Sequence, residues 1–159
     1  MHELSLALPD EAATQALAGR VAAAIDGGLV CHLHGPLGAG KSAFARALLH
    51  ALGVSGRIKS PTYSLIESYP LGDALAWHLD LYRIADPDEL EWLGIDALGE
   101  PGAVVLIEWP ERGAGAVPAA DVELFLSYAG SGRQAALRAA STRGERLLAR
   151  LLPGATSGV

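Results

Sequence analysis

A short glycine-rich segment constrains this chain more than any other part of its sequence. Residues 35–42 read GPLGAGKS, which fits the pattern G-x-x-x-x-G-K-[ST]. The apolar residues 28–33 before it predict a buried strand, and residues 42–49 after it predict a helix. A glycine-rich turn between a strand and a helix is the context in which this pattern binds phosphate. The sequence therefore predicts an α/β fold built around a phosphate-binding loop, or P-loop, and with it a nucleotide site.

The chemistry of phosphate binding explains the residue types in this loop. Glycines allow backbone N–H groups to converge on one concavity, and the following helix adds the positive end of its dipole. Lys41 can reach the β- and γ-phosphates as a point charge, and the Ser42 hydroxyl can ligate Mg²⁺. The residues expected to bind the nucleotide through the loop are Gly35, Pro36, Leu37, Gly38, Ala39, Gly40, Lys41, Ser42 and Ala43.

Composition and charge favour one globular domain that does not bind nucleic acid directly. The chain has 159 residues, of which 50% are hydrophobic and 19% are charged, as is typical of a folded domain. The net charge of −6 argues against direct binding of DNA or RNA, which requires clustered positive charge. We predict a single P-loop nucleotide-binding domain over residues 1–152 and a frayed tail over residues 153–159.

No part of the sequence predicts export or a membrane span. The N-terminus lacks a basic region and an apolar stretch of signal-peptide length, and no segment approaches about 20 consecutive apolar residues. The lone Cys31 lies in an apolar run, so we predict a buried thiol rather than a reactive one. We therefore expect a cytoplasmic protein with no membrane partner.

The order of apolar and turn segments predicts strands that alternate with helices. Residues 103–107 form a continuous apolar run, typical of a parallel strand covered on both faces. We predict an α/β, P-loop NTPase-like three-layer fold, with a central, mostly parallel sheet and antiparallel edge strands. Further strands are predicted at residues 4–8 and 28–33, hairpins at residues 64–81 and 121–140, and helices at residues 10–25, 42–49, 86–98 and 143–152.

A P-loop also requires a carboxylate near the carboxyl end of a neighbouring strand, where it can hold Mg²⁺ or its waters. Glu108 follows the apolar run, and Asp80 lies in the segment HLDLYR on the same strand face as His78. The sequence leaves open which carboxylate is nearer the metal. Thr62, in the segment SPTYS, is a third candidate, whose hydroxyl would reach the metal or the γ-phosphate from a loop that changes with nucleotide state.

Other polar and aromatic residues give weaker signals. A histidine within a strand is more often structural than catalytic, and we expect this of His78. Trp109 either packs in the core or lies beside the nucleotide, since it follows Glu108. Arg83, Arg112 and Arg133 are each expected at the surface, although any one of them could neutralise phosphate charge.

Four motifs in series resemble the TsaE (YjeE) family of bacterial ATPases, which act in tRNA threonylcarbamoyladenosine synthesis. The motifs are GPLGAGKS, SPTYS, HLDLYR and IEW, in this order. The resemblance implies a cytosolic protein that binds ATP and Mg²⁺ and hydrolyses ATP weakly by itself. It also implies docking onto the partner proteins TsaB and TsaD, which with TsaC modify adenosine at position 37 of tRNA. The protein would then reach tRNA only indirectly.

The resemblance also assigns roles to residues that match its motifs, with two departures. Pro36 stands where the family commonly has an acidic residue, and Ser42 stands where threonine is common. Serine keeps the ligating hydroxyl, whereas Pro36 removes one backbone N–H donor. The implied catalytic residues are Lys41, Thr62, Asp80 and Glu108, the implied metal ligands are Ser42, Asp80 and Glu108, and the implied nucleotide contacts beyond the loop are Trp109 and Arg133.

Three other functions are compatible with a P-loop in principle. A small-molecule kinase usually closes an arginine-bearing lid over the phosphates, and residues 110–120 are the one lid-sized loop here, with Arg112 as its arginine. A GTPase usually reads guanine through an Asn-Lys-x-Asp motif, which this chain cannot form because it contains no asparagine. A nucleotide-dependent binding module, in which hydrolysis only resets an interaction, overlaps with the function that the family resemblance implies.

Overall fold

A seven-stranded mixed sheet forms the centre of the fold. A computed structural model of the chain describes residues 3–61 and 64–151. The sheet order is β1-β7-β6-β2-β5-β4-β3, in which the four central strands are parallel and the outer strands pair antiparallel. The predicted α/β class, with a mostly parallel centre and antiparallel edges, is confirmed. The strands are β1 (Glu3–Leu8), β2 (Leu29–His34), β3 (Ile66–Leu71), β4 (Ala74–Asp80), β5 (Val104–Glu108), β6 (Val122–Ala129) and β7 (Gly132–Ala139).

Three α-helices pack on one face of this sheet and share a hydrophobic core with it. α1 is capped by the Asp10 side chain, which accepts a 2.9 Å hydrogen bond from an amide in the first turn. α3 approaches the neighbouring backbone so closely that a Cβ atom at Gly144 would lie 1.8 Å from the Asp121 carbonyl oxygen. The helices are α1 (Glu11–Ala24), α2 (Lys41–Ala51) and α3 (Thr142–Leu151).

β5, one of the four central strands, is buried over its whole length, because both faces of the sheet are covered there. Val104 and Leu106 pack in the core shared with the α-helices, whereas Val105 and Ile107 pack in a second core on the opposite face. The prediction of a strand covered on both faces is confirmed. Because successive side chains alternate, Glu108 continues the row of Val104 and Leu106 and points to the α2 side of the sheet.

The prediction of a single helix over residues 86–98 is wrong. Asp86 caps the segment as expected, but the chain forms two 3₁₀-helices, Pro87–Leu93 and Ile95–Gly99. Gly94 between them has φ 69°, a left-handed conformation that ends the first helix before the second begins. Apolar residues of both segments cover the second face of the sheet. The expected third layer is therefore present, built from 3₁₀-helices rather than from α-helices.

Both predicted hairpins are present. β3 and β4 pair antiparallel around a Pro/Gly turn, and β6 and β7 pair around a turn in which Gly130 has φ 60°. The segment after β5 begins with a further 3₁₀-helix, Pro110–Gly113. Because β6 pairs with β2, the β6–β7 hairpin lies beside the glycine-rich loop that follows β2.

The expected lack of a membrane span can be compared with the described residues, whereas the predicted domain boundary cannot. No helix within them combines the length and apolar character that crossing a membrane requires. Residues 152–159, which include the predicted tail, lie outside the described residues, so the predicted domain boundary stays a prediction.

Candidate nucleotide-binding site

The loop that joins β2 to α2 adopts left-handed backbone conformations at three glycines. Gly35, Gly38 and Gly40 have φ values of 150°, 78° and 108°, which residues with a side chain rarely adopt. At Gly35, a Cβ atom would also lie 2.6 Å from the Leu126 carbonyl oxygen. α2 begins directly after Gly40, so its unpaired N–H groups are directed towards the loop. The backbone geometry thus requires the glycines that the motif supplies.

The β6–β7 hairpin contacts this loop from one side. The Tyr128 hydroxyl donates to the Leu37 carbonyl at 2.7 Å, and the Arg133 guanidinium donates to the Gly38 carbonyl at 3.2 Å. Arg133 also lies over the Tyr128 ring, 4.4 Å from its centroid. The structure therefore places Arg133 at the loop. It also brings in Tyr128, for which the sequence pattern gave no signal.

Four polar or charged side chains of the described residues are buried, three of them in the lining of one cavity beside the loop and the fourth, His78, in contact with Glu108. Lys41, His78, Asp80 and Glu108 are 5%, 1%, 8% and 3% exposed. Burial of such groups is costly unless they are paired, and perturbed ionisable groups cluster at functional sites. Their convergence at one place marks this region as the candidate site.

Lys41 lies between the loop backbone and an aromatic ring. Its Nζ donates to the Gly35 carbonyl and lies 3.6 Å from the centroid of the Trp109 ring. Burial lowers the pKa of Lys41, while the negative charges of Glu108 and Asp80 act to raise it. Trp109 itself has φ 58°, an uncommon conformation for a residue with a side chain. Of the two alternatives for Trp109, the structure favours a position at the site.

Glu108 accepts hydrogen bonds from two other elements. The Ser42 hydroxyl donates to its two carboxylate oxygens, at 3.0 and 2.9 Å, and His78 Nε2 lies 2.6 Å from Oε2. Since an ionised carboxylate only accepts, His78 Nε2 carries the proton in this contact. His78 Nδ1 has no hydrogen-bond partner within the described residues. His78 is thus joined to the site through Glu108. The sequence indicated its position only by placing His78 on the same strand face as Asp80.

Asp80 lies next to Glu108, because the parallel register of β4 and β5 pairs these two residues. Its Oδ1 accepts a 3.0 Å hydrogen bond from the Tyr82 amide. Burial raises the pKa of Asp80, the Tyr82 hydrogen bond lowers it, and the nearby charge of Glu108 raises it further. The two carboxylates proposed from the sequence therefore form one acidic pair at the carboxyl ends of neighbouring strands.

A cavity of about 400 Å³ lies between the loop and these carboxylates. Its volume is within the range of small-ligand sites. Two smaller cavities adjoin the loop, of about 240 and 230 Å³. Among the residues predicted from the sequence, the first cavity is lined by Leu37, Gly38, Gly40, Lys41, Ser42, Ala43, Asp80, Arg83, Glu108 and Trp109. The second cavity shares Lys41 and Trp109 and adds Gly35 and Pro36, and the third shares Gly40 and Ala43 and adds Ala39 and Arg133.

A larger cavity, of about 730 Å³, lies beside the first 3₁₀-helix and is a poor site for phosphate. Its lining includes Asp86, Asp88, Glu91 and Asp96 and contains no basic side chain. Phosphate would be repelled by these four carboxylates. The electrostatics therefore favour the cavity at the glycine-rich loop.

Thr62 lies outside the described residues, so its role stays a prediction. On either side of it, the Pro61 carbonyl accepts a 2.8 Å hydrogen bond from the Leu65 amide, and Leu65 has φ 70°. The Leu65 carbonyl in turn accepts from the Asp80 amide at 3.0 Å. Leu65, which follows the segment that contains Thr62, is therefore hydrogen-bonded to Asp80, one of the two carboxylates of the site.

Comparisons with known proteins give the family. Residues 8–135 match the family described as threonylcarbamoyl adenosine biosynthesis protein TsaE. The chain is 39% identical over 120 residues to a tRNA threonylcarbamoyladenosine biosynthesis protein TsaE from Haemophilus influenzae, covering 76% of each chain. It is 34% identical over 122 residues to the Bacillus subtilis protein of the same name, covering 77% of this chain and 75% of that one.

The fold has a solved counterpart as well. It matches the crystal structure of Bacillus subtilis YdiB with a TM-score of 0.76 and 29% identity, covering 94% of this chain and 93% of that chain. The family match spans the loop, both carboxylates and the start of β7. The chain therefore belongs to the TsaE family of threonylcarbamoyl adenosine biosynthesis proteins.

Proposed function

We propose that this protein is a Mg²⁺-dependent ATPase that supports a TsaB–TsaD complex in making N6-threonylcarbamoyladenosine at position 37 of tRNA. The observation that carries the proposal is the burial of Lys41, Asp80 and Glu108 beside a glycine-rich loop. Family membership supports the biosynthetic role, because the related proteins are named for it. We expect the protein to act in the cytoplasm. We also expect partners to bring it to tRNA, in keeping with its net charge of −6.

The donor chemistry of the site fits a complex of ATP with Mg²⁺. A hydroxyl, Ser42, and two carboxylates, Asp80 and Glu108, are hard oxygen donors of the kind that Mg²⁺ prefers. Backbone N–H groups at the start of α2 and the Lys41 ammonium are donors for phosphate oxygens. We propose that Ser42, Asp80 and Glu108 hold the metal, directly or through water. The loop residues and Lys41 would bind the phosphates.

Each of these side chains would have to exchange a present contact for a new one. Lys41 would leave the Gly35 carbonyl and donate to the phosphates, and the Ser42 hydroxyl would turn away from Glu108. Mg²⁺ held by these residues would neutralise part of the negative charge of the phosphates. Glu108 would keep its orientation through His78 Nε2–H and would orient the attacking water, with Asp80 as the alternative for this role.

We propose in addition that ATP binding orders the segment around Thr62, and that TsaB and TsaD recognise the ordered state. The support is the hydrogen bond between Leu65 and Asp80, which links the end of this segment to the site. A loop ordered by the γ-phosphate can report which nucleotide is bound. The interaction with the partners would then depend on the nucleotide.

The test follows γ-labelled phosphate from ATP with the protein alone and with purified TsaB and TsaD. We expect slow release of free phosphate by the protein alone and faster release with the pair. Lys41→Ala should abolish ATP binding, and Glu108→Gln should impair turnover more than binding. Lys59→Ala is the matched control, because Lys59 is the other lysine of the chain and is exposed.

Two outcomes would contradict the proposal. Label that appears on a small acceptor, without a response to TsaB and TsaD, would indicate a kinase. Normal turnover by Glu108→Gln would show that the assignment of the carboxylates is wrong. Arg112 of the expected lid lies over the Tyr82 ring, 5.3 Å from its centroid, and does not itself line the cavity at the loop, although Tyr82 does.

A further inference from the structure

Two histidines and a glutamate meet on the sheet face opposite the α-helices. His32 and His34 are two residues apart on β2, so their side chains point to the same face. The parallel register of β2 and β6 pairs His32 directly with Glu123. One ligand atom from each of these three side chains lies within 4.8 Å of the others. All three side chains are only partly buried, so an ion could reach them from solvent.

The contacts of His32 leave one ring nitrogen free to bind a metal. His32 Nε2 lies 2.9 Å from the Pro118 carbonyl, which can only accept a hydrogen bond, so Nε2 carries a proton. A neutral ring protonated at Nε2 keeps its lone pair at Nδ1. A ring N–H donated to a backbone carbonyl is also the usual second contact of a metal-binding histidine.

The other two side chains already face each other. His34 Nε2 lies 3.0 Å from Glu123 Oε1, and the His34 ring stacks on Phe125 with centroids 4.6 Å apart. This stacking fixes the orientation of the ring. Because a carboxylate accepts, His34 Nε2 donates to Glu123 in this contact, so zinc binding at Nε2 would displace that proton to Nδ1 or to solvent.

Besides His34, no lysine or arginine side chain pairs with Glu123 in the described residues. Arg138 is paired with Glu123 in the register of β6 and β7, but its guanidinium lies over the Phe125 ring, 5.1 Å from the centroid. The Arg138 guanidinium also lies 3.9 Å from the Glu3 carboxylate. The charge of Glu123 thus remains available for a cation that the two imidazoles can also ligate.

We propose that His32, His34 and Glu123 form a binding site for a divalent transition-metal ion, with Zn²⁺ as its best match. Two imidazoles and one carboxylate suit Zn²⁺ rather than Mg²⁺, which prefers oxygen ligands throughout. Ligand atoms about 2.1 Å from a tetrahedral ion lie about 3.4 Å apart, so no separation within the group has to shorten by more than about 1.4 Å. Rotation of partly exposed side chains can provide this. A fourth position would be left for water.

This site lies on the opposite face of the sheet from the carboxylates of the nucleotide site, although His34 also lines the second cavity beside the loop, with Gly35 and Lys41. Leu33, between the two histidines, points into the core on the helical side, where Ser42 and Glu108 lie. His32 and His34 point the other way because strand side chains alternate. Zinc bound there would therefore leave the contacts of Glu108 unchanged.

The test measures Zn²⁺ affinity by competition with a chromophoric chelator, using the full chain without an affinity tag. We expect one Zn²⁺ per chain, and at least a tenfold loss of affinity in His34→Gln and in Glu123→Gln. His50→Gln is the matched control, because His50 is an exposed histidine on α2. Glu123→Gln preserves shape at a partly exposed position, so a folding defect would not obscure the result. Thermal unfolding without zinc checks this point.

X-ray absorption at the zinc edge provides an independent readout. We expect scattering from two imidazoles, one carboxylate oxygen and one further oxygen. Zinc affinity that is unchanged in both His34→Gln and Glu123→Gln would overturn the proposal. So would a loss of zinc binding in Glu108→Gln alone, since the ion would then occupy the nucleotide-site carboxylates.

Discussion

The Asp80 carboxylate is 8% exposed and lies beside the carboxylate of Glu108. Burial and this neighbouring charge raise its pKa, whereas the Tyr82 amide, His78 and Lys41 act to lower it. Because folding raises the pKa, the folded protein binds this proton more tightly than the unfolded chain does. The ionised form of Asp80 therefore lowers the free energy of unfolding at neutral pH. A stability cost of this kind is common where a group is retained for function.

Asp80→Asn should therefore stabilise the nucleotide-free protein at pH 7, by about 1 kcal/mol. The amide oxygen of asparagine can still accept from the Tyr82 amide, while the buried charge is removed. As the pH falls from 7 towards the ordinary Asp value of 3.8, Asp80 takes up its proton in the folded state and the advantage of the variant should shrink. Urea unfolding of both proteins over this pH range measures the difference.

Asp73→Asn is the control for the Asp80 experiment, because Asp73 is exposed in the turn between β3 and β4. It should change the free energy of unfolding little at any pH. If Asp80→Asn destabilised the protein at pH 7, the attraction of Asp80 to Lys41 would outweigh its burial cost. The variant should also weaken binding of Mg²⁺–ATP, in contrast to its effect on stability.

Cys31 should be a reporter of unfolding. The thiol is 3% exposed, and burial, together with the charges of Asp121 and Glu123, raises its pKa to about 12. Since the thiolate is the reactive form, the native protein should resist an aromatic disulfide reagent at pH 8, and labelling should follow global unfolding. Labelling rates measured in increasing urea give the result. Fast labelling without denaturant would show that β2 opens locally.

At the scale of elements, the β6–β7 hairpin supports the glycine-rich loop without belonging to it. Tyr128 and Arg133 hold two loop carbonyls, those of Leu37 and Gly38. A loop held by neighbours pays less conformational entropy when it binds phosphate. We therefore expect the hairpin to affect nucleotide affinity through the shape of the loop.

Tyr128→Phe should weaken ADP binding by up to about tenfold, because it removes one hydrogen bond to the loop. The ring and its contact with Arg133 are kept. Since Tyr128 is 53% exposed, the free energy of unfolding should change by less than about 1 kcal/mol. Calorimetric titration with ADP and thermal unfolding measure the two quantities.

Two arginines of β7 provide the matched comparison for this hairpin. Arg133→Gln removes a donor to Gly38 and should also weaken ADP binding, whereas Arg138→Gln should not, because Arg138 stacks on Phe125. Equal effects of the two variants would indicate a general electrostatic role for the hairpin. Support of the loop by Arg133 would then be contradicted.

Elements with a local sequence signature were predictable, and contacts between distant elements were not. The loop and the strand β5 follow from glycine spacing and from a continuous apolar run. The sequence predicts one helix over residues 86–98 because the Asp86 cap specifies where a helix starts but not how it winds, whereas the chain forms two 3₁₀-helices that meet at Gly94. The bond between Tyr128 and Leu37 joins residues 91 apart and depends on the sheet order, which no local pattern specifies.

For the whole molecule, the sheet order explains where the site lies. β2, β5 and β4 are adjacent and parallel, so their carboxyl ends meet at one edge of the sheet. β2 leads into the loop, while β4 ends at Asp80 and β5 ends at Glu108. Open parallel sheets bind ligands at this edge. The positions of Asp80 and Glu108 are therefore fixed by β4 and β5, and β5 is buried over its whole length.

This arrangement predicts a gradient of stability across the sheet. β5 is hydrogen-bonded on both sides and buried throughout, so its amides should exchange with solvent only when the whole protein unfolds. β1 and β3 each have one neighbouring strand, and β3 contains Pro70, which cannot donate to a ladder. Their amides should exchange by local opening, at a lower free energy.

Native-state hydrogen exchange in increasing urea measures these free energies for each strand. The amides of β5 should show a strong dependence on urea that matches global unfolding, and the amides of β3 should show little dependence. Exchange of β5 at the low free energy of β3 would contradict the prediction. Adding Mg²⁺ with ADP should slow the exchange of β5 by the factor that ligand binding adds to global stability, because β5 opens only when the site is lost. The amides of β3 should change less, because their local opening leaves β2, β5 and the loop in place.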